Sequence, residues 1–83
     1  MKTLNEIAIG KKCKVKKLIC EGKFKKRLLD MGVTPSAKII VKKKAPLGDP
    51  IEIAIRGYEL SLRKDECKLI LVEEVLIWNI LLL

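Results

Sequence analysis

The stretch that decides the fold is Ile51-Glu52-Ile53-Ala54-Ile55-Arg56-Gly57-Tyr58-Glu59-Leu60-Ser61-Leu62. Isoleucine alternates with smaller or polar residues as far as Ile55, which is typical of a strand with one buried face. Gly57 then bends the chain, and the alternation resumes from Tyr58 to Leu62. This segment therefore predicts two neighbouring strands.

Three further strands are predicted on either side of this pair, at residues 12–19, 37–43 and 69–75. The alternation of the first breaks at Lys17, which indicates a bulge or strand end. Phe24, Leu28 and Met31 are spaced as one helical face over residues 23–31, and Gly32 follows as a helix stop. Residues 63–68 fit one helical turn. The sequence therefore predicts a mainly β domain, a small and strongly bent barrel of about five short strands with one short helix and a helical turn.

Size and charge limit the possible functions. A chain of 83 residues has room for one domain. Its 18 basic and 10 acidic residues give a net charge of +8, which favours an acidic protein, a nucleic acid or an anionic membrane face as partner. Nucleic acid is disfavoured because the three aromatic residues are not interleaved with the basic runs, as stacking would require.

The residue types needed for catalysis or metal binding are scarce. The chain has no histidine, and its three cysteines (Cys13, Cys20 and Cys67) have no CxxC spacing. Three thiols without histidine do not make a closed zinc or iron site, so we expect no metal site, no cofactor and no catalytic residue. The odd number of cysteines and the lack of an apolar run in the first ten residues favour a reducing cytoplasm without a secretion signal.

The C-terminal residues 76–83 form an apolar extension beyond the predicted domain at 1–75. As a helix, residues 75–83 would reach only about 13 Å, too short to cross a ~30 Å hydrocarbon core, so we expect no transmembrane segment. Large apolar side chains are costly in water. The extension therefore packs on the barrel, docks on a second copy or partner, or rests on a membrane surface.

Three blocks in the same order resemble the FeoA family, the small accessory proteins of bacterial ferrous-iron transport. They are Leu28-Leu29-Asp30-Met31-Gly32-Val33-Thr34-Pro35, Lys44-Ala45-Pro46-Leu47-Gly48-Asp49-Pro50-Ile51 and Arg56-Gly57-Tyr58-Glu59-Leu60-Ser61-Leu62-Arg63. The resemblance covers about residues 3–75. It implies an SH3-like β-barrel in the cytoplasm, at the inner face of the membrane, that works with the membrane GTPase FeoB. The family often has glycine where this chain has Ser36, so we expect no positive φ there.

The first functional hypothesis is a non-enzymatic interaction module that contacts a FeoB-type transporter. The expected contact residues are Lys25, Lys26 and Arg27 on the helix, Leu47, Gly48 and Asp49 in the turn, and Leu76, Ile77 and Trp78 in the extension. The extension also allows a homo-oligomer. The alternative is a nucleic-acid-binding small barrel, or a stand-alone regulatory domain like that of iron-dependent repressors.

Overall fold

The strands form a single antiparallel sheet in the order β1-β6-β2-β3-β4-β5. The computed structural model describes residues 1–75, so the predicted extension with Leu76, Ile77 and Trp78 lies outside the described residues. The elements are β1 (Lys2–Thr3), a 3-10 helix (Leu4–Glu6), β2 (Lys12–Leu18), α1 (Gly22–Asp30), β3 (Lys38–Lys44), β4 (Ile51–Ile55), β5 (Tyr58–Leu62), α2 (Lys64–Cys67) and β6 (Ile70–Glu74).

This architecture confirms the predicted fold class, with one difference in the number of strands. The described sheet has six strands because the two-residue β1 pairs with β6, and alternation over two residues is too short to be read from sequence. The terminal strands β1 and β5 are not hydrogen-bonded to each other in the described sheet, so its ladder is not closed.

The inward faces of the strands make one hydrophobic core. Ile51, Ile53 and Ile55 are fully buried, as their alternation predicts. Leu28 covers this core from α1. The other buried apolar residues come from β2, β3, β5 and β6, from the 3-10 helix and α2, and from the loops: Leu4, Ile7, Cys13, Val15, Leu18, Val33, Ala37, Ile39, Val41, Leu62, Cys67, Ile70 and Val72.

Two bulges interrupt the ladders. The first, between Val15 and Lys17 in the β2–β6 pair, confirms the break predicted at Lys17. The second lies between Val41 and Lys43 in the β3–β4 pair. Each bulge places two successive lysines between inward-facing residues, and these lysines are exposed.

Helix α1 ends where its sequence predicts, and of the three residues on its predicted buried face Leu28 and Met31 contact the core. Val33 N–H bonds Leu28 O at 2.9 Å and Gly32 N–H bonds Leu29 O at 3.0 Å, which together form a Schellman motif on Gly32 (φ +91°). Phe24, expected on the buried face with Leu28, is 62% exposed. Spacing identifies a helical face but not where the sheet beneath it ends.

The expectation for Ser36 is wrong, because its φ is +74°. Ala37 N–H bonds Thr34 O at 3.0 Å, and Ser36 N–H bonds Val15 O at 2.7 Å. Pro35 thus occupies the second position of a turn whose third position needs a positive φ, the pattern of a type II turn. The geometry of this turn therefore outweighs the ordinary preference of a residue with a Cβ atom for a negative φ.

Candidate partner-binding surface

The connection between β3 and β4 (residues 45–50, hereafter the β3–β4 loop) displays a large apolar side chain. Its base is closed by bonds from Ala45 N–H to Pro50 O (3.0 Å) and from Gly48 N–H to Ala45 O (2.7 Å). Leu47 lies at the tip and is 90% exposed. Gly48 adopts φ +81°, which glycine allows without strain. The sequence therefore makes a closed loop that holds one leucine in solvent.

Asp49 has a partner inside the molecule. Its Oδ1 accepts a hydrogen bond from Lys64 N–H at 3.0 Å, at the first residue of α2. A carboxylate at this position satisfies a backbone donor that has no partner within the helix. Of the three loop residues expected to contact a partner, Asp49 therefore anchors the loop, whereas Leu47 is presented to solvent.

An open cleft of about 250 Å³ lies beside the β3–β4 loop. Its walls combine two lysines at the end of β3, a carboxylate near the start of β4 and two small apolar residues of the loop itself. The lining residues are Lys43, Lys44, Ala45, Pro50 and Glu52.

The cationic residues expected on α1 differ in their surroundings. Lys26 Nζ pairs with Asp30 Oδ2 at 3.0 Å, one helical turn away, and both side chains are largely exposed. Arg27 Nη1 lies 3.2 Å from Glu66 Oε2, and that carboxylate side chain is only 12% exposed. Because Glu66 Oε1 also accepts Arg63 N–H at 2.9 Å, Arg27 ties α1 to α2. Lys25 is half-buried.

A second group of side chains, which the sequence did not indicate, fixes the segment after α1. Arg56 Nε donates to Gly32 O at 3.1 Å, and its Nη2 donates to Thr34 Oγ1. Tyr58 Oη donates to Met31 O. A Cβ atom on Gly32 would overlap the Tyr58 hydroxyl. These contacts (the Arg56–Tyr58 clamp) join residues more than 20 positions apart, so no local pattern could have revealed them.

The cysteines are positioned as core residues. All three are free thiols, and Cys13 and Cys67 are fully buried. Burial raises the pKa of Cys13 to about 12, and also that of Cys67 to about 12. Metal ligation and nucleophilic attack need the thiolate, which these environments disfavour. In residues 1–75, no three histidine, cysteine, aspartate or glutamate residues are grouped closely enough to hold a metal ion.

These features define the class of protein: a small, mainly β domain with an SH3-like fold. Residues 2–74 match the model of the FeoA domain, and the chain belongs to the FeoA family, which is associated with ferrous-iron transport. Over the described residues, no helix has the length and apolar character needed to span a membrane.

Two sequence-similar relatives support the family assignment, and one more distant structure supports the fold. An Fe(2+) transport protein A/Fe(2+) transporter FeoB fusion protein of Porphyromonas gingivalis is 36% identical over 70 residues, which are 84% of this chain but 8% of the fusion protein. The FeoA-like protein of Clostridium acetobutylicum is 47% identical, with a TM-score of 0.85 over 90% of this chain and 87% of that one. Stenotrophomonas maltophilia FeoA complexed with zinc, described as a prokaryotic SH3 domain protein, is 21% identical, with a TM-score of 0.77 over 88% and 91%, and shows the fold alone.

Proposed function

We propose that this chain is a non-enzymatic accessory protein of ferrous-iron transport that contacts the cytoplasmic part of a FeoB-type membrane GTPase. The observation that carries this proposal is the Porphyromonas gingivalis protein, in which a relative of this chain is fused to FeoB. A fusion keeps two domains at a high effective concentration, which is useful when the two act on each other.

The β3–β4 loop is the contact that the geometry supports best. Leu47 is the most exposed large apolar side chain of the described residues, and burying it against a partner would recover the free energy that its exposure to water forgoes. The closed loop base and the Asp49 anchor hold it in place before binding, which lowers the entropy cost of association. Lys26 on α1 is an additional, peripheral contact, because exposed charges contribute little affinity on their own.

Contact alone does not regulate a transporter. Binding changes the activity of the GTPase only if this chain has a different affinity for its nucleotide-bound and nucleotide-free states. The extension with Leu76, Ile77 and Trp78 remains a proposed second contact, to the transporter or to another copy of this chain.

The test measures binding of the full chain to an isolated FeoB-type cytoplasmic domain, in both nucleotide states, by titration calorimetry. Leu47→Asp is expected to abolish binding. Ile19→Asp, which adds the same charge at a different exposed apolar residue, is expected to keep it. If the unmodified chain binds in neither nucleotide state, the proposed function is wrong. If both variants lose binding equally, the β3–β4 loop is not the contact.

A further inference from the structure

The positive charge of this protein is concentrated on two strands. β2 and β3 each contain four lysines and no acidic residue. The chain has 18 basic and 10 acidic residues, so the rest of it contains ten of each sign. Outside these two strands the protein is therefore electrically neutral, and the whole net charge of +8 comes from β2 and β3.

The sheet gathers these lysines on one surface. β2 and β3 are hydrogen-bonded neighbours in the interior of the sheet, and their inward residues, such as Val15 and Val41, are buried. The lysines therefore project from the opposite, outward side. The two bulges add Lys16–Lys17 and Lys42–Lys43, which are exposed, whereas Lys12 and Lys14 are half-buried. We name this surface the lysine face, and its members are Lys12, Lys14, Lys16, Lys17, Lys38, Lys42 and Lys43.

Lys44 differs from the members of the lysine face. Its Nζ donates to Asn5 O at 3.2 Å, and it is in register with the buried Ile51, on the inward side of the sheet. Lys44 therefore helps to hold the N-terminal segment against β3.

Acidic residues lie at the borders of the lysine face. Glu73 on β6 is in register with Lys14 and lies 3.9 Å from Lys16 Nζ. Glu52 on β4 is in register with Lys43. Between these borders, Lys14 stands directly opposite Lys38, and like charges in that arrangement destabilise a sheet. An anionic partner placed over this surface would offset the repulsion between neighbouring lysines.

The chemistry of the lysine face distinguishes among anionic partners. It contains no arginine, the residue that recognises carboxylate and phosphate groups in bidentate geometry. Neither strand has an aromatic residue on which a base could stack. Lysine is also depleted from the cores of protein interfaces. A surface of point charges without directional recognition suits a layer of anionic headgroups, where each lysine strengthens membrane association about fivefold.

We propose that the lysine face docks on the anionic phospholipid headgroups of a membrane. Because β3 runs directly into the β3–β4 loop, this docking brings Leu47 close to the bilayer, where a membrane transporter presents its soluble parts. The inference goes beyond the proposed function and is tested without any transporter. A failure of one experiment therefore leaves the other unaffected.

The experiment is co-sedimentation of the full chain with phospholipid vesicles. Vesicles of phosphatidylcholine containing about one-third phosphatidylglycerol are expected to bind the protein at low salt and to release it at high salt, because the attraction is screened within a Debye length. Vesicles of pure phosphatidylcholine are expected not to bind it. The triple variant Lys14→Gln/Lys42→Gln/Lys43→Gln is expected to bind anionic vesicles about 100-fold more weakly.

A matched variant removes the same charge elsewhere. Lys23→Gln/Lys64→Gln/Lys68→Gln alters three exposed lysines on or beside the helices and is expected to bind like the unmodified protein. Equal losses for both triple variants would overturn the proposal, because net charge rather than the lysine face would then be responsible. Absence of binding, equal binding to neutral vesicles, or tighter binding to a DNA duplex than to anionic vesicles at the same salt would also overturn it.

Discussion

The two connections at the ends of β4 differ in where their side chains go. The β4–β5 connection consists of Arg56 and Gly57, both with positive φ, which is the requirement of a tight two-residue hairpin turn. Its Arg56, together with Tyr58, reaches back to the segment after α1. The β3–β4 loop is longer, and Leu47 at its tip points into solvent.

This difference separates residues that maintain the fold from residues available for contact. The Arg56–Tyr58 clamp satisfies backbone carbonyls that follow a helix end, so its loss lowers stability. The Leu47 side chain at the tip of the β3–β4 loop is 90% exposed and provides no hydrogen bond to the fold. Changing Leu47 is therefore expected to affect binding alone. Exposure alone therefore does not identify a contact residue, since Tyr58 is 43% exposed and yet belongs to the clamp.

The largest effect on stability is expected when glycine is replaced by alanine at the segment held by the clamp, and the same replacement in the β3–β4 loop is the comparison. Gly32→Ala puts a Cβ atom at positive φ and against the Tyr58 hydroxyl, and should lower the free energy of unfolding by about 2–4 kcal/mol. Gly48→Ala has a similar φ but meets no atom within 4 Å, so its cost should be about 1 kcal/mol. Urea unfolding measures both, and equal losses would contradict the comparison.

The next effect concerns binding. Leu47→Ala removes the apolar tip and should weaken the affinity for a FeoB-type cytoplasmic domain by about 2 kcal/mol, roughly 30-fold, if the leucine fills a pocket. Its free energy of unfolding should change by less than about 0.5 kcal/mol because the side chain is exposed. Calorimetric titration and urea unfolding provide the two values. A large loss of stability would show that the loop tip supports the fold after all.

The sequence predicted the parts of the fold that depend on short-range periodicity. Alternation placed β4 and β5 at the residues where they occur, and the spacing of Leu28 and Gly32 predicted the helix end. Two-residue β1 gives no periodic signal, and the positive φ of Ser36 depends on a turn that must reach Val15. Elements were predictable where the pattern repeats, and not where a distant strand determines the geometry.

The candidate site was less predictable for the same reason. Leu47 stood out because an apolar residue between Pro46 and Gly48 is unusual for a turn. Asp49 was indistinguishable from a solvent-exposed carboxylate, since its partner is Lys64 N–H, fifteen residues later. The sequence indicates an exposed cation at Arg27, but Glu66 lies against it only when α1 and α2 are folded together.

Substitutions of Asp49 test whether its hydrogen bond fixes the β3–β4 loop to α2. Asp49→Ala removes the acceptor for Lys64 N–H and should lower the free energy of unfolding by about 1 kcal/mol. Asp49→Asn keeps a side-chain oxygen at this position and should lose about half as much or less. Thermal and urea unfolding of the two variants give the values. If both are as stable as the unmodified chain, the loop is not fixed to α2.

The smallest effect is expected at the partly exposed ring of the clamp. Tyr58→Phe removes the hydroxyl that donates to Met31 O. Water can replace that donor at a ring that is 43% exposed, so the loss should be about 0.5–1 kcal/mol, at the low end for a hydrogen bond. A double-mutant cycle with Gly32→Ala shows whether the Tyr58 hydroxyl and position 32 interact directly or whether each substitution lowers stability independently. Because phenylalanine lacks the oxygen that the alanine Cβ meets, Gly32→Ala should cost about 1 kcal/mol less in the Tyr58→Phe background. If the two losses in the free energy of unfolding are additive, the Tyr58 hydroxyl and the helix end at position 32 do not interact.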